Sequence, residues 1–213
     1  MSPKTVKQKR RYDSELRREQ AQRTREAIVS VAERRFLRDG YAATTVASVA
    51  ADAGVSPDTI YKGFGGKPGL VRAIRDHALL GAGPIPAEAR SDALQLSGAS
   101  GREIIEGWGR LTTEVAPRAA PIMRLMRDAA ASDAEAAALL DEMNADRLRR
   151  MTENARRLRA TGDVRAGLTL GHVADILWTY SSTELYELLV RQRRWSLRRY
   201  GRFVTDAMCA ALL

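Results

Sequence analysis

The stretch Ala53-Gly54-Val55-Ser56-Pro57 constrains this chain more than any other. Gly54 suits the left-handed position that closes a helix. Two residues later Ser56 can cap a new helix, with Pro57 at its first position, where a missing N–H costs nothing. One helix must therefore stop and another start within a few residues. Upstream, Thr44 is expected to cap a short helix from Thr45 to Ala53, with Val46, Val49, Ala50 and Ala53 as its inner face. Downstream, Pro57-Asp58-Thr59-Ile60-Tyr61-Lys62 makes about two turns. Ahead of both, Ile28, Val31, Ala32, Phe36 and Leu37 recur at helical spacing. They predict an amphipathic helix from Thr24, its cap, to Asp39, with Gly40 as its stop.

Two short helices joined by a Gly-Val-Ser turn are the ingredients of a helix-turn-helix. With Ile60 and Phe64 inward, Asp58, Thr59, Tyr61 and Lys62 project from the second helix and offer hydroxyls, a ring and a cation to a groove. The charge distribution agrees. Residues 1–80 hold 16 Lys/Arg against 9 Asp/Glu, a net +7, while residues 81–213 hold 19 against 17, a net +2. A basic excess confined to the first third points to a polyanion, nucleic acid ahead of an anionic membrane surface, although a solvated basic face has the same composition. Residues 4–26 have little beyond Val6, Tyr12 and Leu16 as an apolar face, too little for membrane binding.

From Thr24 to Ile74, several groups of residues resemble the DNA-binding domain of TetR-type transcriptional regulators: Gly40-Tyr41, Thr44-Thr45-Val46, Val49-Ala50, Ala53-Gly54-Val55-Ser56, Thr59-Ile60-Tyr61, and Phe64 followed by Lys67 and Leu70. The resemblance implies a homodimer, commonly a repressor, that holds a double-stranded DNA operator and leaves it when a small molecule binds the C-terminal domain. It implies Thr45 and Val46 near the DNA backbone, and Thr59 and Tyr61 at bases or phosphate. Lys67 is implied at the N-terminus of a fourth helix, where side chain and helix end can both hold phosphate. Pro57, Asp58 and Lys62 complete the candidate DNA-binding set. Ala47, Gly63 and Asp58 depart from the family's pattern, so helix 2 and the turn after the recognition helix should make fewer contacts. Pro68 suits the first position of helix 4.

The remaining sequence is helical throughout, and the chain is expected to be all-α. Residues 1–23 read as a basic flexible arm, net +5, that is either a solvated tail or an arm that follows the phosphates or enters the adjacent minor groove. Residues 24–80 read as the helix-turn-helix domain and residues 81–213 as a larger effector-binding and dimerisation domain. A breaker-rich stretch, Gly81 to Gly101 with Pro84 and Pro86, separates the last two. Helices are expected over Arg102–Val115, around Ile122–Met126 after a break at Pro117 to Pro121, and from about Asp133 to Ala160. Further helices are expected over Leu170–Tyr180, Ser182–Val190 and, capped by Ser196, Leu197–Leu212 with Tyr200, Phe203, Val204, Ala207 and Ala211 at core spacing. Their apolar stripes read first as plain core, but Trp108, Met123, Met126, Met143, Met151 and Trp178 are also soft, adaptable material for a cavity that takes a hydrophobic effector. The resemblance places the dimer interface on Leu170–Tyr180 and Leu197–Leu212, where Ala207, Ala210 and Ala211 would allow close approach, although they suit an ordinary core equally well.

Other classes are disfavoured. No phosphate-cradling glycine loop, His-Glu metal motif or nucleophile elbow occurs, so no enzyme and no cofactor is expected. The lone Cys209 forms no internal disulfide and reads as a buried thiol. With no run long enough to span a bilayer, a cytoplasmic protein without membrane contact is expected.

Overall fold

The computed structural model describes residues 3–83 and 85–213, with side chains from residue 16 onward; Pro84 of the breaker-rich stretch lies outside them. The described residues are all-α and divide into two units at Ile74/Arg75. The division falls inside a helix, ahead of the expected position after residue 80.

In the first unit α1 (Pro3–Asp39) is followed by α2 (Val46–Ala53), α3 (Pro57–Phe64) and α4, which begins at Lys67 and ends at Leu79 in the second unit. Ile28, Ala32, Phe36, Val49, Ile60, Leu70 and Ile74 are buried. α1 starts well before Thr24. That threonine is not a cap, because its hydroxyl donates back to the Gln20 carbonyl within the helix. Nothing between residues 4 and 39 breaks a helix, and Arg, Glu and Gln dominate there, residues that lose little entropy on coiling. The cap of α2 also differs from expectation. Thr44 is buried and donates to the Gly40 carbonyl, while Thr45 serves as the cap.

The second unit contains α5 (Ala87–Leu96), α6 (Gly101–Ala130), α7 (Ala134–Ala160), α8 (Leu170–Tyr180), α9 (Thr183–Tyr186) continued by a π-helical turn (Glu187–Gln192), and α10 (Leu197–Leu212). Two corrections concern proline. The Gly81–Gly101 stretch contains α5, which starts at Ala87 directly after Pro86 and carries Glu88 in its first turn. α6 runs unbroken through Pro117 and Pro121. A proline inside a helix costs about 3 kcal/mol or more. Here Ala116, Ala119, Ala120, Ile122 and Met126 are all buried around those prolines, and their packing outweighs the lost hydrogen bonds. The core joins Ile104, Ile105, Leu158, Val173, Leu177, Tyr200, Val204 and Leu212 from α6, α7, α8 and α10. On α10, Phe203 is exposed and Ala207 and Ala211 are half-buried, with Met208 and Cys209 buried in their place.

Candidate nucleic-acid interface and effector cavity

α2 and α3 are set by their caps. Thr45 Oγ1 accepts from the Ser48 N–H at 3.1 Å and Ser48 Oγ accepts from the Thr45 N–H at 3.2 Å, a reciprocal capping box. At the other end Gly54 takes φ +65, and the Val55 N–H reaches the Ala50 carbonyl at 3.0 Å. This left-handed residue is what turns the chain toward α3. Ser56 Oγ then accepts from the Thr59 N–H at 3.2 Å and shares a hydrogen bond with the Thr59 hydroxyl at 2.9 Å.

The face of α3 away from buried Ile60 is open. Pro57, Asp58, Thr59, Tyr61 and Lys62 are exposed, Tyr61 to 57%. Its eight residues span roughly 12 Å at 1.5 Å per residue, the width of a B-DNA major groove. Asp58 is not a lone carboxylate, since Lys62 Nζ pairs with it at 2.7 Å one turn on. Both groups are solvated, so the pair steers orientation more than stability. Thr45 is exposed and Val46 half-buried at the start of α2. Lys67 opens α4 with its ammonium 3.8 Å from the centroid of the Tyr41 ring, which stacks on Phe36 at 5.9 Å. Pro68 follows it at the second helical position, where a missing N–H is equally harmless.

Other residues, outside the candidate set, hold this interface in place. Arg25 Nη1 donates to the Gly63 carbonyl at 3.0 Å and its guanidinium lies 4.3 Å from the Phe64 centroid, tying α1 to the last turn of α3. Arg35 Nε donates to Asp52 at 2.6 Å, joining α1 to α2. That hydrogen bond holds the Asp52 carboxyl below the usual carboxylate range, against a smaller opposing effect of burial. Gly69 permits the close approach of α4 to α3, since a Cβ there would overlap the Phe64 carbonyl oxygen. These arginines and this glycine sit in ordinary polar sequence, and only tertiary contact distinguishes them.

In the second unit a cavity of about 730 Å³ opens among α5, α6, α7 and α8, within the size range of small-molecule sites. Trp108, Met123, Met143 and Met151 line it with Leu111, Val115 and Leu177. Met126 and Trp178 do not. Met126 is fully buried on α6, and Trp178 lies beneath the Arg147 guanidinium, 4.1 Å from ring centroid to Cζ. The wall also holds polar groups that the periodicity of apolar residues did not signal. Ser91 and Asn154 are buried. Trp108 Nε1 donates to Ser91 Oγ at 2.9 Å, and Gln95 Nε2 donates to Ser91 Oγ and to Asn154 Oδ1. Beside the cavity Arg90 grips Glu114 at 2.6 Å, which holds the Glu114 carboxyl below its ordinary range.

Cys209 is buried, and burial pushes its thiol up, which makes it a poor nucleophile. Among the described residues no helix is long and apolar enough to cross a membrane, and no cluster of three or more His, Cys, Asp or Glu side chains could hold a metal.

Residues 28–74 match the family model of bacterial regulatory proteins, tetR family. The chain is 46% identical over 59 residues to the HTH-type transcriptional regulator TtgR of Pseudomonas putida. That alignment covers 28% of each chain, so the match spans little more than a quarter of the relative's length. Among solved structures, a SmeT–triclosan complex is 25% identical with a TM-score of 0.67, covering 89% of this chain and 91% of the other. NalD of Pseudomonas aeruginosa, described as the secondary repressor of the MexAB-OprM multidrug efflux pump, has a TM-score of 0.68 at 19% identity. It covers 91% of this chain and 98% of its own, a likeness of fold.

Proposed function

We propose that this chain, whose residues 28–74 match the family model of bacterial regulatory proteins, tetR family, is a ligand-responsive repressor that binds a palindromic operator as a homodimer. The observation that carries the DNA-binding half is α3: capped at both ends, backed by Ile60, and open along Asp58, Thr59, Tyr61 and Lys62. A two-turn helix reaches few base pairs, so useful specificity calls for two half-sites about one helical turn or a multiple apart. Tyr61 and Lys67 act on phosphate. Thr59 and the Asp58–Lys62 pair act on base edges, with Thr45 and Val46 near the backbone.

The effector half rests on the cavity. A ligand that packs on Trp108, Met123, Met143 and Met151 and shifts the helices around it would lower operator affinity, with a reciprocal coupling of about 1–3 kcal/mol. The triclosan complex of SmeT supports an apolar effector. Selection of bound duplexes from a random pool tests the proposal. The expected product is an inverted repeat bound by a dimer; a single asymmetric half-site bound by a monomer would overturn it.

A further inference from the structure

We infer that the cavity of the second unit is built for an apolar ligand that carries one carboxylate, and that Arg147 receives this group. The inference deepens the effector reading above and rests on it.

Four arginines line the cavity: Arg75, Arg147, Arg149 and Arg150. Three are matched by carboxylates. Arg75 pairs with Asp76 and Asp146, Arg149 with Asp146, and Arg150 with Asp92. Arg147 has no carboxylate within ion-pair distance among the described residues. Its two hydrogen bonds, both from Nη1, go to neutral oxygens, the Trp178 carbonyl and Ser181 Oγ, while its face lies on the Trp178 ring. The other N–H groups of the fork, at Nε and Nη2, are left to a ligand.

A guanidinium does not escape burial by shedding its proton, so it is stabilised by an anion or remains an uncompensated charge against an apolar wall. Burial acts first on Arg147 and pulls it below its ordinary range; Glu184 acts against this and Arg127 with it. The carboxylates of the lining do not supply the missing partner. Glu184 is taken by Arg127 at 3.1 Å, Asp76 and Asp146 by Arg75, Glu153 faces Arg157 at 3.9 Å, and Glu88 is exposed. A planar carboxylate fits the fork in two-point fashion, and the walls of Trp108, Leu111, Val115, Met123, Met143 and Leu177 take the apolar remainder. A cationic ligand would meet the like charge of Arg147. The competing role for Arg147 is purely structural, as a cation on the last carbonyls of α8.

The test is calorimetric titration of the full chain with decanoate, 1-decanol and decyltrimethylammonium at neutral pH. Decanoate should bind at least about tenfold more tightly than decanol, as expected for a hydrogen-bonded charge pair, and the cation should bind weakest. Arg147→Gln should lose the preference for decanoate over decanol, and Arg147→Lys should keep part of it. If Arg147→Gln does not fold, the head-group series on the wild type with Arg147→Lys decides. Equal affinities, preference for the cation, binding of none of the three, or a folded Arg147→Gln that keeps the preference would each overturn the inference, the last assigning Arg147 to the α8 terminus alone. The two readings separate cleanly. Decanol that binds without preference and releases operator DNA sinks the carboxylate and keeps the effector reading. Decanoate bound with preference but without effect on operator affinity does the reverse.

Discussion

α3 and α6 are held in opposite ways. α3 has eight residues and one fully buried side chain, Ile60; its position is set by the Ser56 cap, the Gly54 turn and the grip of Arg25 on Gly63 and Phe64. α6 has thirty residues and two internal prolines, and it holds together because its buried face packs against its neighbours. The contrast separates their tasks. An interface that reads DNA keeps its outer face free of packing and is positioned from its ends, where each cap contributes about 1 kcal/mol. A unit that encloses a cavity needs long helices whose packing tolerates local defects.

The sharpest way to break the contrast is to add one methyl group to each unit. Gly69→Ala should be the most damaging, by about 3 kcal/mol, because its Cβ meets the rigid Phe64 carbonyl, and α3 must move with α4. Operator binding should be abolished while ligand titration of the cavity is retained. Gly109→Ala, whose Cβ would overlap Thr205 Oγ1, should lower the melting temperature by less, since a side chain yields more readily than backbone. It should disturb the cavity unit and spare the recognition helix. Circular-dichroism melts with both binding assays check the pair; loss of operator binding in both variants alike would erase the distinction.

Smaller effects should sort the residues of the interface. Tyr61→Phe and Lys67→Ala should weaken binding to specific and random duplexes alike. Thr59→Ala should change the preference among operators, at about 1–3 kcal/mol for the base edge it no longer reaches. Asp58→Asn frees Lys62 from its partner at 2.7 Å and should therefore also shift sequence preference. Competition binding against a panel of operators measures this, and equal weakening on specific and random DNA for all four substitutions would contradict the division of labour.

The smallest effect is expected from the N-terminal segment. Residues 1–23 carry eight Lys/Arg against three Asp/Glu. If they follow the phosphates, removing residues 1–20 should make the salt dependence shallower by about 0.9 in the log–log slope for each phosphate that the segment neutralises, with little change in half-site preference. A truncated protein that keeps its affinity and its slope would make the segment a solvated extension of α1.

Legibility followed the same divide. The turn Gly54-Val55-Ser56-Pro57, the end of α1 at Gly40, and the last cap at Ser196 were readable because each is a local rule about φ, a missing N–H or a hydroxyl acceptor. Thr24 and Thr44 misled because a threonine can turn its hydroxyl back to a carbonyl four residues earlier, as both do, and the sequence does not show which option wins. Of the six Trp and Met residues offered for the cavity, four face it. Met126 and Trp178 share the composition and differ only in which way their helices are turned.

The sequence by itself determined the helical class, the helix-turn-helix and the exposed face of α3, because caps, turns and periodicity act over a handful of neighbouring residues. The tertiary structure alone decided that α6 runs through two prolines, that α5 exists, that Gly69 must be small, and that Arg147 stands beside a cavity without a carboxylate at ion-pair distance among the described residues. Each of these depends on energies between residues far apart in the chain. Packing can outweigh a local rule, and a charge is paired or unpaired only once its neighbours are in place.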